Sequence, residues 1–100
     1  MDTETIEKLK KVVALVDKAA VDPDIDIDYC IPGIETTVNN CSVSETPYVL
    51  VTYVLGDYNK HTRKIHLDDT LLRETAEEIA NRITFSIEEF KGEIDSVEMG

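Results

Sequence analysis

Between Asp24 and Ile31 the sequence alternates without a fault, with Ile25, Ile27, Tyr29 and Ile31 at odd positions and Asp24, Asp26, Asp28 and Cys30 at even ones. Successive side chains of a strand point to opposite faces, so this period of two predicts a strand with one apolar face and one face carrying carboxylates. Such a strand does not stand alone. It needs neighbours for its backbone hydrogen bonds and an apolar layer over its isoleucines.

The rest of the chain supplies both. Ile6, Leu9, Val13, Val16 and Ala20 fall at three- and four-residue steps and predict a helix over 3–20, with Asp2 or Thr3 as cap. Glu4 with Lys8 and Glu7 with Lys11 form i,i+4 pairs, and Pro23 stops the pattern. After the first strand, Pro32-Gly33 turns the chain. A weaker strand follows over 34–43, with Asn39-Asn40 as a bulge or turn, then a loop over 44–47. Tyr48 to Leu55 is apolar on both faces and reads as an inner strand. Gly56-Asp57-Tyr58-Asn59 turns the chain into a more polar edge strand over 60–67.

A last helix starts at Asp68 as N-cap, with Leu67 and Leu72 as a hydrophobic staple. Leu72, Ala76, Ile79, Ile83, Ile87 and Phe90 mark its buried stripe, and Gly92 suits its end. Ser86-Ile87-Glu88-Glu89 has the form of a capping box and offers a break near Thr84. The expected architecture is α+β, in the order α-β-β-β-β-α: an antiparallel four-stranded sheet with the N- and C-terminal helices packed on one face. One domain is expected over 1–92, with 93–100 as a frayed acidic tail.

The charge is the outlying property. Ten Lys and Arg against 21 Asp and Glu leave a net charge of −11 on 100 residues. That field repels nucleic acid and anionic membrane and attracts basic protein surfaces. The apolar fraction of 42% is nonetheless that of a chain that folds. No segment reads as a signal peptide or membrane span, so a cytoplasmic protein is expected, with Cys30 and Cys41 as reduced, dispensable thiols.

Basic residues avoid most of the chain. From Ala19 to Asn59 there is no Lys or Arg, and from Glu74 onward only Arg82 and Lys91 interrupt the acids. Asp22, Asp24, Asp26, Asp28, Glu35, Glu74, Glu77 and Glu78 are therefore the candidate partner-binding residues. Regularly spaced carboxylates present charge much as a nucleic-acid backbone does, so a non-enzymatic inhibitor that occupies a phosphate-binding surface is the expected function. Its partner would be a basic, nucleic-acid-binding protein, with no direct contact to nucleic acid or membrane. Phage anti-defence DNA mimics (anti-CRISPR or anti-restriction proteins) and immunity proteins against nuclease toxins share this size and charge, though no motif connects them to the chain.

Other chemistry has less to stand on. An EF-hand loop starting at Asp24 would place Tyr29 where glycine is obligatory, so neither a metal site nor a cofactor is expected. His61 and His66 are five residues apart and fall on opposite faces of a regular strand. A small enzyme or ligand-binding domain built on Cys30, His61, His66 and the Asp row is the alternative, and a homo-oligomeric structural subunit another. A homodimer is also expected: Tyr48, Leu50 and Val54 lie on the sheet face that two helices cannot cover, unless the 34–46 segment folds over it or the partner itself binds there.

Overall fold

The structure, a computed structural model, describes residues 3–19, 22–38, 41, 46–56 and 59–99. Its elements are α1 (Thr3–Ala19), β1 (Ile25–Ile31), β2 (Glu35–Thr36), β3 (Tyr48–Gly56), β4 (Asn59–His66), α2 (Asp69–Leu72) and α3 (Ala76–Met99). All neighbouring strands are antiparallel, in the order β2-β1-β3-β4. This is the expected α+β arrangement, with the short α2 added as a step into the long last helix. The proposed bulge at Asn39-Asn40, the cap at Asp2 and the turn residues Asp57 and Tyr58 lie outside the described residues, as does the 42–45 part of the expected second strand and loop.

The alternation in β1 sorts the sheet. Tyr29, Ile31, Val49, Val51 and Tyr53 are buried in one core with Leu9, Val12, Val13 and Val16 of α1 and Ile79, Ile83, Ile87, Phe90 and Ile94 of α3. Ile25, Ile27 and Ile65 pack at its margin. Odd-numbered strand residues thus face the helices. The turn from β1 to β2 is the expected one: Ile34 N–H donates to the Ile31 carbonyl, and Gly33 takes φ +83°, which suits glycine and gives a type II turn after Pro32.

β2 is much shorter than its predicted span. Tyr29 N–H donates to the Thr37 hydroxyl rather than to a backbone carbonyl, while the Thr37 and Val38 amides share the Tyr29 carbonyl. The ladder therefore closes on a side chain immediately after Thr36. The lysines of α1 also find other partners than those expected. Lys8 donates to the Leu72 carbonyl at the end of α2, and Lys11 pairs with Glu77 of α3 at 2.7 Å. These bonds tie α1 to the helices it packs beside.

The break in the last helical region falls at 73–75, not near Thr84. Asp68 caps α2 by accepting from Leu71 N–H. Thr75 then caps α3 in a reciprocal box, its hydroxyl accepting from Glu78 N–H and the Glu78 carboxylate accepting from Thr75 N–H. At Thr84 the hydroxyl donates back to the Ala80 and Asn81 carbonyls, and Ile83 and Ile87 stay in the core on an uninterrupted helix.

Nor does Gly92 end the helix. Beyond it Ile94 is buried, and two polar ties hold this stretch to the sheet side, Tyr53 donating to Asp95 at 2.8 Å and Arg63 pairing with Glu93 at 2.6 Å, while Lys91 just before it pairs with Asp22. Arg63 also lies over the Phe90 ring, 4.9 Å from its centre. These contacts outweigh the roughly 1 kcal/mol that glycine costs a helix relative to alanine. A Cβ on Gly92 would meet no atom within 4 Å. Gly92→Ala is therefore expected to raise stability by about 0.5–1 kcal/mol, read as a few degrees of melting temperature. A variant that melts lower would mean that the helix ends at Gly92 after all.

Candidate acidic face

The even-numbered residues of the strands form the sheet face opposite the helices. Register lays three rows across it. Asp26, Asp28 and Cys30 of β1 stand opposite Thr52, Leu50 and Tyr48 of β3. These in turn stand opposite Thr62, Lys64 and His66 of β4. One level further out, Val54 pairs with Lys60 and its amide donates to the Asp24 carbonyl. Acids thus line one side of the face, bases the other, and Leu50, Thr52 and Val54 the middle.

Asp24, Asp26 and Asp28 are spaced at alternate strand positions, about 6.7 Å apart along the chain. Asp24 and Asp26 are exposed. Asp28 is partly buried and accepts from the Thr37 hydroxyl at 3.0 Å. The other five candidate acids are elsewhere. Glu35 is in register with Ile31, on the helix side, where its charge, with Asp17's, bears on Tyr29. Asp22 pairs with Lys91, Glu77 with Lys11 and Glu74 with Arg82, and Glu78 is spent in the cap of α3. The eight acids do not make one surface, because α3 and the sheet hold them on opposite layers.

Tyr48 also departs from expectation. It is only 3% exposed although it faces away from the helices, with the Lys64 ammonium 4.6 Å from its ring centre and the His66 ring beside it at 5.9 Å. Cys30, in register with it, is fully buried and bonded to Cys41. The two cysteines are therefore a disulfide, not the pair of free thiols expected. The Pro32-Gly33 turn sends the chain back along β1, so that the Cα atoms come within 5.4 Å, a bridgeable distance. The disulfide pins residue 41 at the Cys30–Tyr48 end of the open face, and Leu50 and Val54 remain its half-buried apolar centre.

Groups with altered acidity all move away from neutrality. The hydrogen bond from Lys91, helped by the Asp24 amide, lowers Asp22, and that from Lys11 lowers Glu77. Burial and the bond to Asp17 raise Tyr29, while the bond to Asp95 and burial raise Tyr53. Lys91 is raised by Asp22. A general acid or base is poised near the working pH, and these shifts run the other way. His61 sits opposite Tyr53 on the helix side and His66 opposite Tyr48 on the open side, so the histidines are separated as their spacing implies. Among the described residues no three of His, Cys, Asp and Glu are grouped to hold a metal ion. A groove of about 270 Å³ between α1 and α3, lined by Leu15, Lys18, Ala19, Ala80, Asn81 and Thr84 beside Glu77, is open and brings in few converging polar groups.

No protein-family model, no curated protein and no solved structure matches the chain. Function must be argued from the face itself.

Two expectations follow. Folding lowers the Asp22 pKa, so its pair with Lys91 supports the fold fully above the unfolded value of 3.8 and is lost as pH falls through the folded value. The raised Lys91 keeps its side of the pair until pH rises past 10.5. The melting-temperature gap between wild type and Lys91→Met is expected to be widest above about pH 5 and to narrow as pH falls below 3.8. A gap that does not change over this range would remove the pair from the acid limb. For the disulfide, reduction or a Cys30→Ser/Cys41→Ser variant is expected to cost about 3 kcal/mol, from the loop it closes. Differential scanning calorimetry would then show melting about 15 °C lower, whereas unchanged melting would mean that the bond does not form.

Proposed function

We propose that this protein is a non-enzymatic acidic binding protein that inhibits a basic, nucleic-acid-handling partner by laying the Asp24, Asp26 and Asp28 row into its phosphate-binding surface. The observation that carries the reading is the placement of this row: evenly spaced carboxylates on a sheet face that neither helix covers, in a chain of net charge −11. A partner's lysines and arginines would meet these carboxylates where they meet phosphates, and the overall field would speed the encounter. Lys60 and Lys64 across the same face would repel a basic surface, so the contact is confined to the β1 side and its orientation is fixed.

Glu74, Glu77, Glu78 and Asp22 contribute to this reading through long-range field rather than contact, since each already has a bond within the molecule. Phage anti-defence proteins and nuclease-toxin immunity proteins are the settings in which such an inhibitor is useful. Among the described residues no helix is long and apolar enough to cross a membrane. The Cys30–Cys41 disulfide is of the kind that persists in oxidising compartments, so it weighs against the cytoplasmic setting expected from the sequence.

The test is affinity capture from the native host, followed by titration of the captured partner. Changing Asp24, Asp26 and Asp28 together to Asn is expected to weaken binding on the order of tenfold or more at physiological salt, and to make what remains less salt-dependent. The partner's nucleic acid is expected to compete with the wild-type protein. A partner that is not basic, or a triple variant that binds as the wild type does, would end this reading.

A further inference from the structure

We propose that two copies of this chain pack open face to open face about a two-fold axis parallel to the strands, the acidic row of each copy lying against the basic row of the other. The strand order carries the argument. Because β1 and β4 flank β3, the face repeats one cross-sheet motif of acid, apolar residue and base: Asp28, Leu50 and Lys64 at one level, Asp24, Val54 and Lys60 at another. A two-fold axis running along β3 exchanges β1 with β4 and keeps the level. Asp28 then meets Lys64 of the second copy, Lys64 meets its Asp28, and Leu50, Thr52 and Val54 meet their own counterparts.

The alternative axis, across the strands, sets acids against acids and bases against bases. The charge pattern therefore selects a single symmetric packing, which buries the apolar centre and leaves no like-charge row opposed. A basic or acidic protein of another kind would satisfy only one side of the face and be repelled by the other. A second copy satisfies both. The proposal does not rest on the proposed function, although it bears on it: a second copy offers ammonium groups to the same carboxylates as a basic partner would, so the two complexes exclude one another.

Away from its buried Cys30–Tyr48 end the face spans three strands and about five residues, on the order of 300 Å² a side, against about 800 Å² in an interface of standard size. The dimer is accordingly expected to be weak, half-formed at tens of micromolar, and to loosen as salt is raised. The test uses sedimentation equilibrium with two charge-reversed variants, Asp28→Lys and Lys64→Asp, each first checked for wild-type circular dichroism. Alone, each variant opposes like charges twice across the interface and is expected to dimerise at least tenfold more weakly than wild type. Mixed in equal amounts, they restore both ion pairs, and a heterodimer within about threefold of the wild-type affinity is expected. Leu50→Glu is expected to give a folded monomer. A wild type that stays monomeric up to a millimolar, a mixture that associates no better than its components, or a dimer that survives Leu50→Glu would each overturn the proposal.

Discussion

The register of β1 against β3, and of β3 against β4, is the constraint on which the rest of the molecule depends. Ile27 opposite Val51, and Val51 opposite Arg63, put the odd residues of the three strands beneath the helices and the even ones on the other side, up to the irregularity after Val54 where Gly56 pairs with Asn59. A slip of one residue in β1 would bury three aspartates and expose three isoleucines and a tyrosine. The cost of an unpaired buried carboxylate is large enough that the alternation itself fixes the pairing. The helices follow from it, since an apolar row of Ile25, Ile27, Tyr29 and Ile31 has to be covered, and α1 and α3 are the two amphipathic segments that can do so.

The polar ends of buried residues set how the helix layer sits. Tyr29 and Tyr53 each bury a ring in the core and donate a hydroxyl to a helix carboxylate, Asp17 of α1 and Asp95 of α3. Buried tyrosines need such a partner. The two bonds fix where α1 ends and where α3 must reach, and Arg63 on Glu93 and Lys91 on Asp22 tie the same end of α3 to β4 and to the start of β1. Much of the molecule's basic charge is spent in this way, with Lys11 and Arg82 paired as well. Lys60 and Lys64 on β4 lie across β3 from the acids of β1 because of the strand order, Lys64 over the Tyr48 ring.

Where the sequence carries a strict period, much of it could be read: the alternation of 24–31, the Pro32-Gly33 turn, the apolar inner strand, and Leu9, Val13 and Val16 of the α1 stripe appear where periodicity puts them. Val12, by contrast, joins the core outside that stripe, Ile6 is only half-buried and Ala20 lies outside the described residues. The failures fall where one local signal competes with another. Ser86-Ile87-Glu88-Glu89 and Thr75-Ala76-Glu77-Glu78 both have capping-box form, and only burial of Ile83 and Ile87 on one helix decides that the second is used. Gly92 reads as a stop because Ile94, Asp95 and Glu93 find their partners on strands remote in sequence. The acid row was visible as a row. Its separation from Glu35, Glu74, Glu77 and Glu78, the disulfide from Cys30 to Cys41, and the opposed basic row on β4 were not, because each depends on strand order and on which layer an element joins.

The open face is thus a consequence of pairing, and both proposals made for it fail together if the pairing is wrong. Cross-strand Hα–Hα contacts in an isotopically labelled sample measure that pairing directly. Ile27 with Val51 and Leu50 with Lys64 are the contacts required by the register. Finding them would put Asp26 and Asp28 on the face away from α1 and α3. Contacts displaced by one residue, such as Asp28 with Val51, would turn the carboxylates towards the helices and contradict the account.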